Sequence, residues 1–225
     1  MPTALITGAS RGLGAEIARA LAPTHDLLLG GRPSAELDSL ATELDGASTF
    51  AVELTDYDDV EAATEAISTL DVLVHNAGVA SSLEPVETTP VDEWRHLLEV
   101  NLVAAAELTR LLLPSLREAS GQVVFINSGA GRRANAGWAP YAASKFGLKA
   151  LADALRLEEP TLRVTSVFPG RIDTEMQQDI VAIEGREYSP EQFLKPSTVA
   201  AAVAHAIATP ADAHVEEIVV RPTGR

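Results

Sequence analysis

The chain of 225 residues contains no cysteine, which excludes disulfides, thiolate zinc sites, iron–sulfur ligation and a cysteine nucleophile. Lysine is almost as scarce. Lys145, Lys149 and Lys195 are the only three, and the arginines are scattered, so no polybasic patch can form. Thirty-two acidic against 17 basic residues give a formal net charge of −15, which repels a phosphate backbone and an anionic membrane surface alike. Neither nucleic acid nor membrane is an expected partner, and no metal site is assigned. No run approaches the ~18 uninterrupted apolar residues of a membrane span. The opening Met1-Pro2-Thr3-Ala4-Leu5 has neither a basic segment nor an apolar one of signal-peptide length, so a soluble, cytoplasmic protein is expected. What remains is ordinary globular composition, 46% hydrophobic and 22% charged. It suffices for one sizeable core and is short for two, so residues 1–225 are expected to form a single domain.

Short apolar runs alternate with longer helical patterns throughout, the mark of repeated βα units. Strands are expected at Thr3–Thr7, Leu27–Gly31, Thr49–Glu53, Val72–His75, Val123–Ser128, Arg163–Phe168 and Glu217–Val220. Most are continuous apolar runs, as in strands buried on both faces of a parallel sheet. Helices are expected at Leu13–Ala22, Ala35–Leu44, Tyr57–Leu70, Val91–Leu113, Pro140–Glu158 and Thr198–Ala208. Before the fourth, Thr89 is expected to cap the free amides and Pro90 stands where its missing N–H is harmless. Asp92 faces the positive end of the dipole, and Pro114 is expected to close the helix. The fold class is α/β: a doubly wound domain with a central, mostly parallel, seven-stranded sheet flanked by helices. Its ligand belongs at the carboxyl ends of the strands, near the switch point. Only residues 175–196, polar and containing Gly185 and Pro190, match neither pattern.

Between the first strand and first helix runs Thr7-Gly8-Ala9-Ser10-Arg11-Gly12-Leu13-Gly14. Its glycines let backbone approach a diphosphate, and the helix start supplies free amides and a positive dipole. The spacing is GxxxGxG, the form found in short-chain dehydrogenases/reductases. Further motifs follow in that family's order. His75-Asn76-Ala77-Gly78 resembles NNAG with His in place of the first Asn, and Asn101 lies in the long helix. Ser128 ends the fifth strand, Tyr141-Ala142-Ala143-Ser144-Lys145 supplies YxxxK, and Pro169-Gly170-Arg171-Ile172-Asp173-Thr174 resembles PGxIxT. The chain therefore resembles a classical member of that family, with its Rossmann-type fold, over residues 7–174.

Dinucleotide folds that prefer NAD carry an acid at the end of the second strand, where it meets the adenosine ribose. Here Leu27-Leu28-Leu29-Gly30-Gly31 ends in Arg32, a cation where the 2′-phosphate of NADP would lie, and Arg11 can approach the same phosphate. NADP(H) is expected over NAD(H). The resemblance further implies that Asn76 and Gly78 line the nucleotide site, that Ile172 and Thr174 meet the carboxamide, and that Leu54 lies near adenine. Gly8, Ser10, Arg11, Gly12, Leu13 and Gly14 complete the expected cofactor set.

Tyr141 and Lys145, four apart on a helix, share one face. A neighbouring cation favours phenolate, bringing a group of ordinary pKa about 10 toward the working pH. By resemblance Tyr141 exchanges a proton with the carbonyl or alcohol oxygen and Lys145 also holds the nicotinamide ribose. Ser128 is expected to hydrogen-bond the substrate oxygen, and Asn101, by resemblance, to organise a relay toward the lysine. His75 is expected to be a satisfied core residue.

The expected activity is hydride transfer between NADP(H) and a small ketone or aldehyde and its alcohol. The alternative is a non-catalytic, NADP(H)-sensing regulator, against which the full catalytic set argues. A sugar-nucleotide epimerase is disfavoured by the turn spacing and by the lack of a C-terminal substrate domain. Substrate contacts are expected from 130–140, including Asn135 and Trp138, and from a lid at about 175–196. Apolar residues on more than one stripe of the 91–113 helix imply cover beyond the sheet, and a homodimer or homotetramer is expected.

Overall fold

The computed structural model describes residues 1–223. Its centre is one sheet of seven strands in the order β3-β2-β1-β4-β5-β6-β7, every neighbouring pair parallel. The strands are β1 (Thr3–Ile6), β2 (Asp26–Gly31), β3 (Ala47–Ala51), β4 (Val72–His75), β5 (Gln122–Ile126), β6 (Arg163–Pro169) and β7 (Glu217–Val220). The helices are α1 (Gly12–Leu21), α2 (Ala35–Glu43), α3 (Tyr57–Thr64), α4 (Val91–Leu98), α5 (Ala104–Ala119), α6 (Ala139–Glu158), α7 (Glu175–Ile183) and α8 (Pro196–Ile207). Among the described residues no helix is long and apolar enough to cross a membrane.

Alternation along each strand assigns its side chains to two cores. Ala4 and Ile6 of β1 pack with Leu13 and Ile17 of α1, Leu37 of α2 and Val199 and Val203 of α8. Leu5, between them in sequence, faces the opposite side with Leu73, Phe125, Leu108 and Leu112 of α5, and Leu148 of α6. Covered on both faces, every residue of β4 and β5 is buried. Such strands show no polar alternation, which is why they read as apolar runs. The chain runs outward in opposite directions from the central pair β1 and β4, which leaves a crevice at the carboxyl ends of these strands.

Several local expectations are corrected. β5 stops at Ile126, two residues before Ser128. The fourth helix is not closed by Pro114. It passes through a π-helical turn at Glu99–Val103 and continues as α5 to Ala119. An interior proline costs ~3 kcal/mol, but Leu112 and Leu116 on either side of it are fully buried, each such burial being worth roughly 1.5–3 kcal/mol. The helix ends where Ser120 turns left-handed at φ 49° and the amide of Gly121 returns to Leu116 O. Thr89 does not cap α4. Its hydroxyl donates to the carbonyls of Glu84 and Pro85, and Pro90 occupies the capping position. α3 stops at Thr64, whose hydroxyl turns back to Glu61 O, and the chain then meets α5 through Ile67 O and Leu70 N, both bonded to Ser115. The first half of 175–196 is a helix, α7, with Gln177, Ile180 and Val181 buried along one face.

Candidate active site

The loop from β1 into α1 is fixed before any ligand is considered. Gly8 has φ 64° and Gly12 φ 57°, the left-handed region that favours glycine. A Cβ on Gly14 would lie 2.0 Å from Gly8 O, so the turn closes only without a side chain there. The Asn76 amide, at the end of β4, donates to the carbonyls of Thr7 (3.0 Å) and Gly8 (3.1 Å). The loop is thus pinned with the start of α1 facing the crevice, and extended Arg11 precedes the helix. An open glycine cradle at a helix start fits a diphosphate.

Across the crevice, Ser128 lies just past β5 and begins a short 3₁₀ turn, its hydroxyl accepting from Ala130 N (3.1 Å). Tyr141 and Lys145 project from the first turns of α6, the Lys145 Nζ 5.8 Å from the centre of the Tyr141 ring. Lys145 is 5% exposed and its ammonium donates to Ile126 O (3.1 Å). Burial lowers its pKa to about 8. Burial is also the leading influence on Tyr141 and pushes the phenol up, while the neighbouring Ser128 hydroxyl draws it down. Trp138 meets the Tyr141 ring edge-on at 5.6 Å.

Asn101 stands in the π-helical turn, 2% exposed. Its Oδ1 accepts from Val79 N (2.8 Å), and its Nδ2 donates to Val79 O (3.0 Å) and to Ser144 Oγ (3.1 Å). Ser144 in turn donates to Tyr141 O (2.8 Å). A Cβ on Gly78 would lie 3.0 Å from Asn101 Oδ1 and 3.7 Å from Lys145 Nζ, so the loop after β4, the π turn and α6 meet at that glycine.

The remaining expected residues divide. Thr174 caps α7 by accepting from Gln177 N (3.3 Å), and its Cγ2 lies 3.4 Å from where a Cβ on Gly12 would be. The start of α7 therefore rests on the glycine turn. Ile172 bridges to Leu194 and packs on the α1/α8 core. Leu54, just past β3, is half-buried against the α5/α6 core. Arg32 is exposed and meets no carboxylate among the described residues. Arg11 instead pairs with Glu175 of α7 at 2.7 Å. Ser10, Arg11, Gly12, Asp173 and Lys195 line an open groove of about 480 Å³ between the starts of α1 and α8. Asn135 is exposed. His75 is a core residue, stacked on Phe125 at 4.8 Å with Nε2 2.8 Å from Thr109 Oγ1.

A family profile described as short chain dehydrogenase matches residues 2–185. The chain belongs to the short-chain dehydrogenase family. Among its relatives are the glycine betaine reductase ATRR of Emericella nidulans, 37% identical over 97% of this chain, and the L-fucose dehydrogenase of Oryctolagus cuniculus, 34% identical over 80%. The chain spans 18% of the first protein's length and 66% of the second's. Of solved structures, an alcohol dehydrogenase from Thermococcus sibiricus complexed with 5-hydroxy-NADP superimposes with TM-score 0.89 at 29% identity, covering 100% of this chain and 98% of that one. An actinorhodin polyketide ketoreductase with NADPH superimposes with TM-score 0.90 at 27% identity, covering 98% and 96%.

In this short-chain dehydrogenase, sequence reasoning overlooked the residues that hold the site together. The Thr7 hydroxyl accepts from the amides of Asn76 and Ala77 (both 3.0 Å) and binds the loop after β4 to β1. Asn127 accepts from Ser128 N (2.8 Å) and donates to Lys145 O (3.0 Å), so one buried amide sets the spacing of β5 and α6. Ser144 carries no signal beyond its place inside YxxxK. Lys195, on the groove beside Arg11, had one: it is one of three lysines in an acidic chain.

Proposed function

We propose that the chain is an NADP(H)-dependent oxidoreductase acting on a carbonyl/alcohol pair, with Tyr141 as general acid and base. The observation that carries this is the meeting of Ser128, Tyr141 and Lys145 with Asn101 at the strand ends, across the crevice from the glycine turn. The nicotinamide group, when bound, would supply the hydride in reduction and accept it in oxidation. Tyr141 gives its phenolic proton to the carbonyl oxygen as the carbon is reduced, and takes it back when the alcohol is oxidised. Ser128 steadies the charge on that oxygen. Lys145 holds a ribose, and Asn101 fixes the loop that bears Gly78. Arg32 and Arg11 face the 2′-phosphate, each charge-assisted contact being worth roughly 1.5–3 kcal/mol. Gly8, Ser10, Gly12, Leu13 and Gly14 cradle the diphosphate, Asn76 and Gly78 flank the ribose, Ile172 and Thr174 meet the carboxamide, and Leu54 lies near adenine.

The substrate is a small ketone, aldehyde or alcohol, the class to which the names of the fucose dehydrogenase and of a Saccharomyces cerevisiae benzil reductase belong. Residues 175–196 form the lid of a single cytoplasmic domain that pairs with further copies of itself.

Titration with NADPH and NADH, followed by turnover on a ketone panel with Tyr141→Phe, tests the reading. The variant is expected to bind NADPH like the parent and to lose turnover by at least 10²-fold. Retained turnover overturns the assignment of Tyr141, and equal affinity for the two nucleotides overturns the preference.

A further inference from the structure

We infer that Glu175 moderates the preference for NADP(H) by competing with its ribose phosphate for Arg11. The inference rests on the cofactor preference proposed above and assigns its counterweight.

Three observations support it. The Arg11 guanidinium is 2.7 Å from the Glu175 carboxylate, and both side chains reach well into solvent, at 68% and 65% exposure. Beneath this pair the Thr174 side chain packs at Gly12, its Cγ2 3.4 Å from where a Cβ on that glycine would be. The bridge therefore joins two loops already touching. Arg11 also acts on a second acid. Its charge is one of the influences that hold the Glu36 carboxyl below the ordinary range, after hydrogen bonds from the Glu36 backbone and from Ser34. Arg11 thus stands between carboxylates at the starts of α2 and α7, and among the described residues only Glu175 holds it in an ion pair.

A phosphate between Arg32 and Arg11 carries more charge than a carboxylate and offers three acceptor oxygens, so it displaces Glu175. NADH presents a ribose hydroxyl there and leaves the pair closed. Because an exposed ion pair contributes little, the competition lowers NADPH affinity only a fewfold.

Dissociation constants for NADPH and NADH, read by nicotinamide fluorescence on the parent, Glu175→Gln, Arg11→Ala and the double variant, test this. Circular dichroism melts confirm that each is folded. Glu175→Gln is expected to tighten NADPH roughly two- to fivefold and leave NADH unchanged, and in the Arg11→Ala background to have no effect. The inference alone is overturned if Arg11→Ala weakens NADPH while Glu175→Gln leaves it unchanged or shifts both nucleotides equally. If Arg11→Ala does not alter NADPH binding, the assignment of Arg11 to the phosphate falls, and the inference with it.

Discussion

Burial holds the Lys145 pKa near 8, against about 10.4 for a solvated lysine, and the sign of that shift makes the residue a cost to the fold. Between these values the unfolded chain binds the proton and the native one does not, so stability rises with pH from about 8 to 10.4. Below 8 both states are protonated and the full penalty applies, roughly 3 kcal/mol at 1.36 kcal/mol per pKa unit. The hydrogen bond to Ile126 O offsets part of the desolvation and leaves the rest. Replacing a buried charge by an apolar side chain of similar length removes the penalty. Lys145→Met is expected to raise the free energy of unfolding at pH 7 by about 2–3 kcal/mol while abolishing turnover. Its advantage is expected to shrink as the pH rises through 8 to 10. Urea unfolding of both proteins at pH 7 and 10 checks this, and a variant less stable than the parent at pH 7 would remove the argument.

At the scale of elements, signals confined to a few neighbouring residues were legible. The glycine turn, the YxxxK spacing and the apolar strands each declare themselves within a few residues, because turn sterics, helical periodicity and burial act locally. Contacts between distant segments were not. Asn101 is buried because one π-helical turn interrupts α4 and α5, and nothing in Glu99-Val100-Asn101-Leu102-Val103 announces an extra residue per turn. Pro114 announces a stop that the packing of Leu112 and Leu116 overrides. Arg11 was aimed at a phosphate, and its partner Glu175 lies on a segment that no periodicity assigned. The π turn has an outward consequence as well. Val103 at its end and Phe146 on α6 are 41% and 45% exposed, on elements that touch where Leu102 meets Gly147. Two such surfaces brought together bury apolar area that one copy leaves in water. Sedimentation is expected to give two or four copies of the 23.7 kDa chain, with Val103→Glu shifting the distribution toward one. A parent protein that sediments as a monomer would end this reading.

For the whole molecule, acid stability turns on one buried imidazole more than on the surface charge. The carboxyls of Glu43, Glu107 and Glu159 are held low, chiefly by the arginines they meet. What those pairs contribute is present above the ordinary carboxylate pKa, about 4.3, and is lost only as the pH falls below it. Exposed pairs of this kind are worth little in any case. His75 acts earlier. The Thr109 hydroxyl spends its one proton on Ala105 O (2.7 Å), so it accepts from His75 Nε2–H, and the ring is neutral. Burial lowers its pKa to about 3, against about 6.5 unfolded. Below 6.5 the unfolded chain takes up a proton that the native chain refuses, so stability falls with pH down to about 3, by ~1.4 kcal/mol per unit. Between pH 6.5 and 5, above the carboxylate range, this predicts a loss of about 2 kcal/mol. His75→Gln, which keeps a donor for Thr109 but no titrating ring, is expected to lose about 2 kcal/mol less over the same interval, whatever its stability at pH 7. Urea midpoints for both proteins at pH 7 and 5 measure the difference, and equal losses would move the acid sensitivity away from the core.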